Sequence, residues 1–238
     1  HRVPRGGKIF RRSLYGDLMR RIIVLNPKGG CGKTTVATNL ASRYAGLGYG
    51  TALYDHDPQG SSICWHGLRG ADRPAIHGVL ACQANNFNMT RSWALRLPPG
   101  TQRVVIDTAA ALDEPQLREH IRNADAILMP IQPSPIDIHA GTQFIRRLLK
   151  ILRDTRLAVI ANRVRSSTPL DPLQEFLHAQ DIPLIAQLWD DSRYGQAFEQ
   201  GLGVHELNDT PSCTDLDPVV EWLEAERESF SPAAFSVS

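Results

Sequence analysis

The segment Lys28-Gly29-Gly30-Cys31-Gly32-Lys33-Thr34-Thr35 brings three glycines, two lysines and two hydroxyls into eight residues. Glycine lets backbone N–H groups turn toward an anion where a β-carbon would clash. The apolar spacing Val36, Leu40, Ala41, Tyr44 predicts a helix from Thr34 to Leu47, whose positive N-terminal end would face the same anion. Such a loop suits a nucleoside triphosphate. Lys33 would take β- and γ-phosphate oxygens, and Thr34 would ligate Mg²⁺. Gly29, Gly30, Cys31, Gly32 and Thr35 would cradle the phosphates. The pattern GxxxxGK[ST] is met loosely, because Pro27 stands where its first glycine belongs. The bland alternative is a glycine-rich turn. Strand residues before the loop and a GKTT core opening a helix weigh against it.

Three further polar positions close predicted strands. Asp55-His56-Asp57-Pro58-Gln59-Gly60-Ser61 follows a strand over Thr51–Tyr54, Asp107 follows Arg103–Ile106, and Asn162 follows Leu157–Ala161. A first strand, Arg21–Leu25, leads into the glycine loop, and another, Ala126–Met129, is stopped by Pro130. Helices are predicted over Glu114–Arg122, Ile136–Arg153 and Pro172–Gln180. Strands alternating with helices require crossover connections. The fold expected is therefore α/β, three-layered, with a mainly parallel twisted sheet and helices on both faces. Ligands of open parallel sheets bind at the carboxyl edge, where Asn26, Asp55, Asp57, Asp107 and Asn162 would meet. Any one of these carboxylates alone could be a turn or cap residue. The stretch from Gly67 to Gly100 reads as an irregular connection.

The chain of 238 residues suits one sizeable domain. Its net charge of +1 means that any nucleic-acid affinity must come from a local patch. Cys31, Cys64, Cys82 and Cys213 show no CxxC spacing, which argues against a zinc site or a disulfide framework and for the reducing cytosol. No run is apolar enough to span a bilayer. No apolar stretch follows the arginines of residues 1–18, which argues against a secretory signal, and Met19 stands directly before the first strand like a natural start, so 1–18 are set apart as a basic N-terminal extension, disordered or non-native. The domain that carries the glycine loop is placed at 19–230 and a tail at 231–238. A helix over Asp215–Phe230 carries Val219, Val220, Trp222 and Leu223 among acidic residues, so it is expected to dock on the body and not on anionic lipid.

The helix over Ile136–Arg153 has apolar residues at Phe144, Ile145, Leu148, Leu149 and Leu152. Arg146, Lys150 and Arg153 fall at i, i+4 and i+7, with Arg147 beside them. A solvated face is the plain reading of such a stripe.

The form KGGxGKTT resembles the deviant Walker A loop of the ParA/MinD superfamily of dimerising ATPases, and the resemblance runs from Met19 to about Leu207. It implies that Lys28 reaches across a nucleotide sandwich to the partner subunit's phosphates. Asp57 would orient the attacking water, Asp55 would support Mg²⁺ and the loop, and Asp107 matches the Walker B aspartate. Asn162 resembles the asparagine that reads adenine. Lys28, Lys33 and Asp57 are thus the catalytic candidates, with Thr34, Asp55 and Asp107 at the metal. Many relatives carry a proline pair after Walker B, where this chain has Ala109-Ala110-Ala111. The resemblance also turns the basic face, with Arg146, Arg147, Lys150, Arg153 and Arg193, toward sequence-independent DNA binding. It implies an ATP-bound homodimer, located in the cytoplasm on the nucleoid, with hydrolysis stimulated by a ParB-like or McdB-like adaptor. The cargo would be a plasmid, a chromosome or a protein assembly such as carboxysomes. A MinD-like membrane-associated regulator is the alternative, disfavoured by the acidic C-terminal helix.

Overall fold

The computed structural model describes residues 19–81, 97–207 and 215–225. The extension 1–18, the tail 231–238, Cys82 and Cys213 lie outside the described residues. The strands are β1 (Arg20–Val24), β2 (Thr51–Asp55), β3 (Ile76–Leu80), β4 (Arg103–Asp107), β5 (Ala126–Ile131), β6 (Arg156–Val164) and β7 (Leu184–Trp189). The helices are α1 (Lys33–Gly46), α2 (Ser61–Leu68), α3 (Glu114–Arg122), α4 (Pro135–Leu149), α5 (Asp171–Ala179), α6 (Arg193–Glu199) and α7 (Asp217–Glu224). One seven-stranded sheet has the order β3-β2-β4-β1-β5-β6-β7. Every neighbouring pair is parallel.

Alternation along the strands sorts the core into two layers. On one face, Ile22, Val24, Leu53, Val105 and Leu128 pack with α1 and α7. On the other, Ile23, Ile106, Ile127 and Met129 pack with α3, α4 and α5. Strands buried on both faces read as continuous apolar runs, which is why β1, β4 and β5 are visible in sequence.

Several boundaries differ from the sequence reading. Pro130 does not stop β5, which runs to Ile131 with Pro130 in register with Ile160. The Pro130 carbonyl turns toward the β1 side and accepts from Asn26 Nδ2 at 2.7 Å. Pairing with β1 ends at Leu128, so the missing N–H breaks no ladder bond on that side. The connection Gly67–Gly100 holds the end of α2 and all of β3, and residues 82–96 within it are outside the described residues. Strand β3 is an edge strand with mostly half-buried residues, so its sequence lacks the apolar run that marks the centre. Strand β7 and helix α6 are likewise additions to the sequence reading. Helix α4 ends at Leu149, not Arg153: the N–H of Ile151 bonds the Leu148 carbonyl, closing the last turn so that the chain can turn back into β6. Lys150 is then the C-cap, and Arg153 lies beyond the helix.

Helix α7 covers Asp217–Glu224 of the helix expected over Asp215–Phe230, whose residues 226–230 lie outside the described residues, and it docks on the body. Val219, Val220, Trp222 and Leu223 are all buried in the α1 layer. The Arg156 guanidinium lies 3.9 Å over the Trp222 ring and donates to its carbonyl at 2.6 Å. Trp222→Ala should therefore cost about 3–5 kcal/mol in denaturant unfolding. A cost below about 1 kcal/mol would mean that α7 contributes little to the core.

Candidate functional site

The site is built outward from the end of β1, the central strand. Past Val24, the Leu25 N–H bonds the Leu128 carbonyl and Asn26 bridges to Pro130. Asn26 Oδ1 then accepts from the Lys28 N–H at 2.8 Å, which turns the chain into the glycine loop. Gly30 and Gly32 have φ of 75° and 97°, a region that other residues enter only with strain. At Gly32 space is limiting as well: an added Cβ would fall 1.9 Å from Asn162 Nδ2. That amide donates to the Cys31 carbonyl at 2.7 Å and pins the loop.

Helix α1 starts at Gly32 with no side-chain cap. Helices α2, α5, α6 and α7 likewise have no side-chain cap bond, whereas α3 and α4 have one. Asp113 and Gln116 form a capping box on α3, and Ser134 caps α4. What sets α1 apart is that its first turn follows the glycine loop directly, an arrangement that suits an anion. Lys33 is buried to 7% exposure, and its ammonium donates to the Lys28 carbonyl at 3.2 Å. Lys28 Nζ lies 2.5 Å from Asp137 Oδ1. Both lysines are therefore stowed on acceptors of their own subunit.

The carboxylates gather where expected, with different surroundings. Asp55 and Asp107 are register partners at the ends of β2 and β4. Asp55 is fully buried and accepts four bonds, from the N–H groups of Asp57, Ser62 and Ile63 and from the Ser62 hydroxyl. Its oxygens are thereby engaged with the loop and with the start of α2. Asp107 Oδ2 accepts from the Thr34 hydroxyl at 2.8 Å, while buried Oδ1 has no partner among the described residues. A buried carboxylate oxygen without a donor beside a threonine hydroxyl suits a hard cation. Asp107 and Thr34 thus fit Mg²⁺, an ion that keeps most of its shell as water and phosphate oxygens. Asp57 sits on the turn after β2, half-buried, with Oδ1 accepting from the Gln59 N–H at 2.9 Å. His56 and His120 pack edge to face at 4.8 Å. Burial, reinforced by His120, lowers His56 to about 4, so its ring is neutral near pH 7.

A cavity of about 350 Å³ opens from Thr35 and is walled by Asn162, Trp189, Asp191 and Tyr194 among others. It continues from the uncapped end of α1 and has room for a nucleobase. Asn162 lies inside β6 and not at its end, because the strand continues through a bulge at Arg163, whose φ is 55°. Trp189 and Tyr194 escape the sequence reading because β7 does. A tryptophan closing a strand at the carboxyl edge was the available signal.

The basic residues do not form one stripe. Arg146, Arg147 and Lys150 are exposed on α4, and Arg153 is exposed past its end. Arg147 pairs with Glu114, and Arg146 lies over Phe176. Arg193 is on α6, whose Tyr194 and Phe198 pack against the opposite sheet face, and it pairs with Asp191 at 2.6 Å.

Residues 22–204 match the family described as the CobQ/CobB/MinD/ParA nucleotide binding domain. A maintenance of carboxysome distribution protein A from Gloeobacter kilaueensis is 36% identical, over 69% of this chain and 73% of that protein. Its namesake from Halothiobacillus neapolitanus is 28% identical, over 78% and 87%. Among solved structures, apo McdA from Cyanothece shares the fold with a TM-score of 0.67 at 17% identity, covering 86% of this chain and 99% of that one.

Burial raises Asp107 from 3.8 to about 7. The Thr34 hydroxyl and Lys33 oppose the rise, and Asp55 and Asp57 add to it. The native state then holds this proton up to about pH 7, whereas the unfolded chain releases it near pH 4. The stability that the neutral acid contributes is full below pH 4 and is lost as pH rises to about 7. Without Mg²⁺ or nucleotide, Asp107→Asn should be more stable than the parent at pH 8, by up to roughly 4 kcal/mol. The gap should close toward pH 4. Equal unfolding midpoints at pH 8 would contradict the buried, unpaired charge.

Proposed function

Because the chain belongs to the CobQ/CobB/MinD/ParA nucleotide-binding domain family, we propose that it is a ParA-type ATPase. In this proposal it pairs on ATP, binds DNA without sequence preference and positions a cargo. The observation that carries the reading is the glycine loop with the uncapped start of α1, facing a cavity on one side and the orphan oxygen of Asp107 on the other. The likeness to proteins named for carboxysome distribution favours a protein assembly as the cargo, with a ParB-like or McdB-like adaptor stimulating hydrolysis.

In this mechanism the first-turn amides and Lys33 would bind the phosphates, and Thr34 and Asp107 would hold Mg²⁺. Mg²⁺, when bound, would neutralise charge on the β- and γ-phosphate oxygens. Asp57 would orient the attacking water from its turn, and Lys28 would reach the partner subunit's phosphates. Phosphoryl transfer depends chiefly on such positioning and charge neutralisation. The Trp189 side chain, 46% exposed at the cavity wall, offers a face for the base. Membrane binding forms no part of the proposal, because the apolar side chains of α7 are buried.

DNA contact is assigned to the α4 end, where Arg146, Lys150 and Arg153 are exposed. Arg147 must leave Glu114 to join them, which is feasible because solvent screens so exposed a pair. Pairing of two subunits doubles the number of phosphates reached and so links DNA affinity to ATP. With MgATP the parent chain should be retained by DNA of any sequence, and Lys33→Ala should not. Arg147→Glu with Lys150→Glu should weaken retention while leaving ATP binding intact. The log–log salt slope should shrink by about 0.9 for each phosphate that is no longer neutralised. Retention equal with and without ATP, or unchanged by the charge reversals, would overturn the DNA reading.

A further inference from the structure

We propose that Asp137 is a positioning residue: it stows the Lys28 ammonium within its own subunit and thereby sets how much ATP is needed to pair two subunits. The proposal rests on the ATP-driven pairing put forward above.

Three interactions stitch the glycine loop and its approach to the end of β5, the start of α4 and the turn between them. Asn26 Nδ2 donates to the Pro130 carbonyl, Gln132 Nε2 donates to the Gly30 carbonyl at 2.9 Å, and Lys28 Nζ pairs with Asp137. The first two engage main-chain carbonyls and fix the path of the loop. The third fixes only the tip of a flexible side chain, so it can open without moving the backbone. The two partners are unequally free. The Lys28 side chain is 41% exposed and the Asp137 side chain 10%. The lysine can swing toward a second subunit, and the carboxylate cannot follow it.

Asp137 is also prepared for the lysine's departure. It lies in the first turn of α4, where the helix end favours negative charge. Its Oδ2 accepts from the Ser134 hydroxyl, and its own N–H bonds Ser134 Oγ at 3.2 Å. A carboxylate held in this way tolerates loss of its cation, so the ion pair works as a reversible catch. The neighbouring Ile136 is 75% exposed, the largest exposure of any large hydrophobic side chain among the described residues. The catch therefore sits beside an apolar side chain that a second copy of the chain would cover. Lys28 can serve Asp137 or the partner's phosphates but not both, so every pairing event must break this ion pair.

The test uses the full chain with Asp137→Asn, which keeps an acceptor for Ser134 but removes the charge. Two measurements are made. The first is the rate at which a lysine-acylating reagent labels Lys28 in the nucleotide-free protein, with Lys150 as the internal reference. The second is the concentration of MgAMPPNP that half-converts monomer to dimer, by sedimentation velocity. Asp137→Asn should label Lys28 several-fold faster while Lys150 is unchanged, and it should pair at about fivefold lower nucleotide, the scale of a half-exposed ion pair. A purely structural role for Asp137 would not accelerate one lysine selectively. If the parent pairs and Asp137→Asn pairs at the same concentration, or if Lys28 labels equally in both, the catch is refuted and the pairing reading stands. A parent that stays monomeric at saturating nucleotide would overturn both.

Discussion

Helix α1 begins on a glycine in the left-handed region, which gives it no side-chain cap bond among the described residues. Exposed peptide N–H groups at the positive end of a helix attract negative charge strongly when the approach is clear of β-carbons. The rest of the molecule can be understood as maintaining this opening. Strand β1 lies at the centre of the sheet, between β4 and β5, so the opening faces the middle of the carboxyl edge. Asn26 ties the entry of the loop to β5, and Asn162 ties the loop to β6 through the Cys31 carbonyl. Those bonds keep glycine backbone, which is entropically costly to order, in a single shape.

Electrostatics around the opening is arranged in pairs that can be exchanged. Lys33 rests on a carbonyl and Lys28 on a carboxylate, while Asp107 holds a proton up to about neutral pH with one oxygen unpartnered. Each is an interaction that a phosphate or a divalent cation would replace with a stronger one. Asp55 differs: its four donors make it a fixed strut between β2 and α2. Of the two aspartates in the DHDPQG segment, the first accepts bonds from the loop and from α2, and the second accepts one, from the Gln59 N–H.

Central strands and the glycine loop were legible in sequence because their constraints are local. Ile22 to Val24, Arg103 to Asp107 and the GKTT core each carry their own signal in a few consecutive residues. What escaped depended on tertiary context. Strand β3 lies at an edge and lacks a full apolar run, and Pro130 remains in β5 because its ladder partner has already ended. Helix α4 stops four residues before the last basic residue of its apparent stripe, since Leu152 must turn into the core on the way to β6. The base-sized cavity needed Trp189 and Tyr194, which approach Thr35 only after β7 and α6 are in place. The Lys28–Asp137 ion pair, spanning more than 100 residues, left no trace in spacing at all.

The most direct measurement is a crystal structure of the chain with MgAMPPNP. The account predicts the triphosphate lying on the backbone amides from Gly29 to Thr35. Lys33 Nζ should have moved from the Lys28 carbonyl to a phosphate oxygen, and Asp107 and Thr34 should face Mg²⁺. A nucleotide bound elsewhere on the molecule, or a glycine loop left empty at saturating concentration, would contradict it.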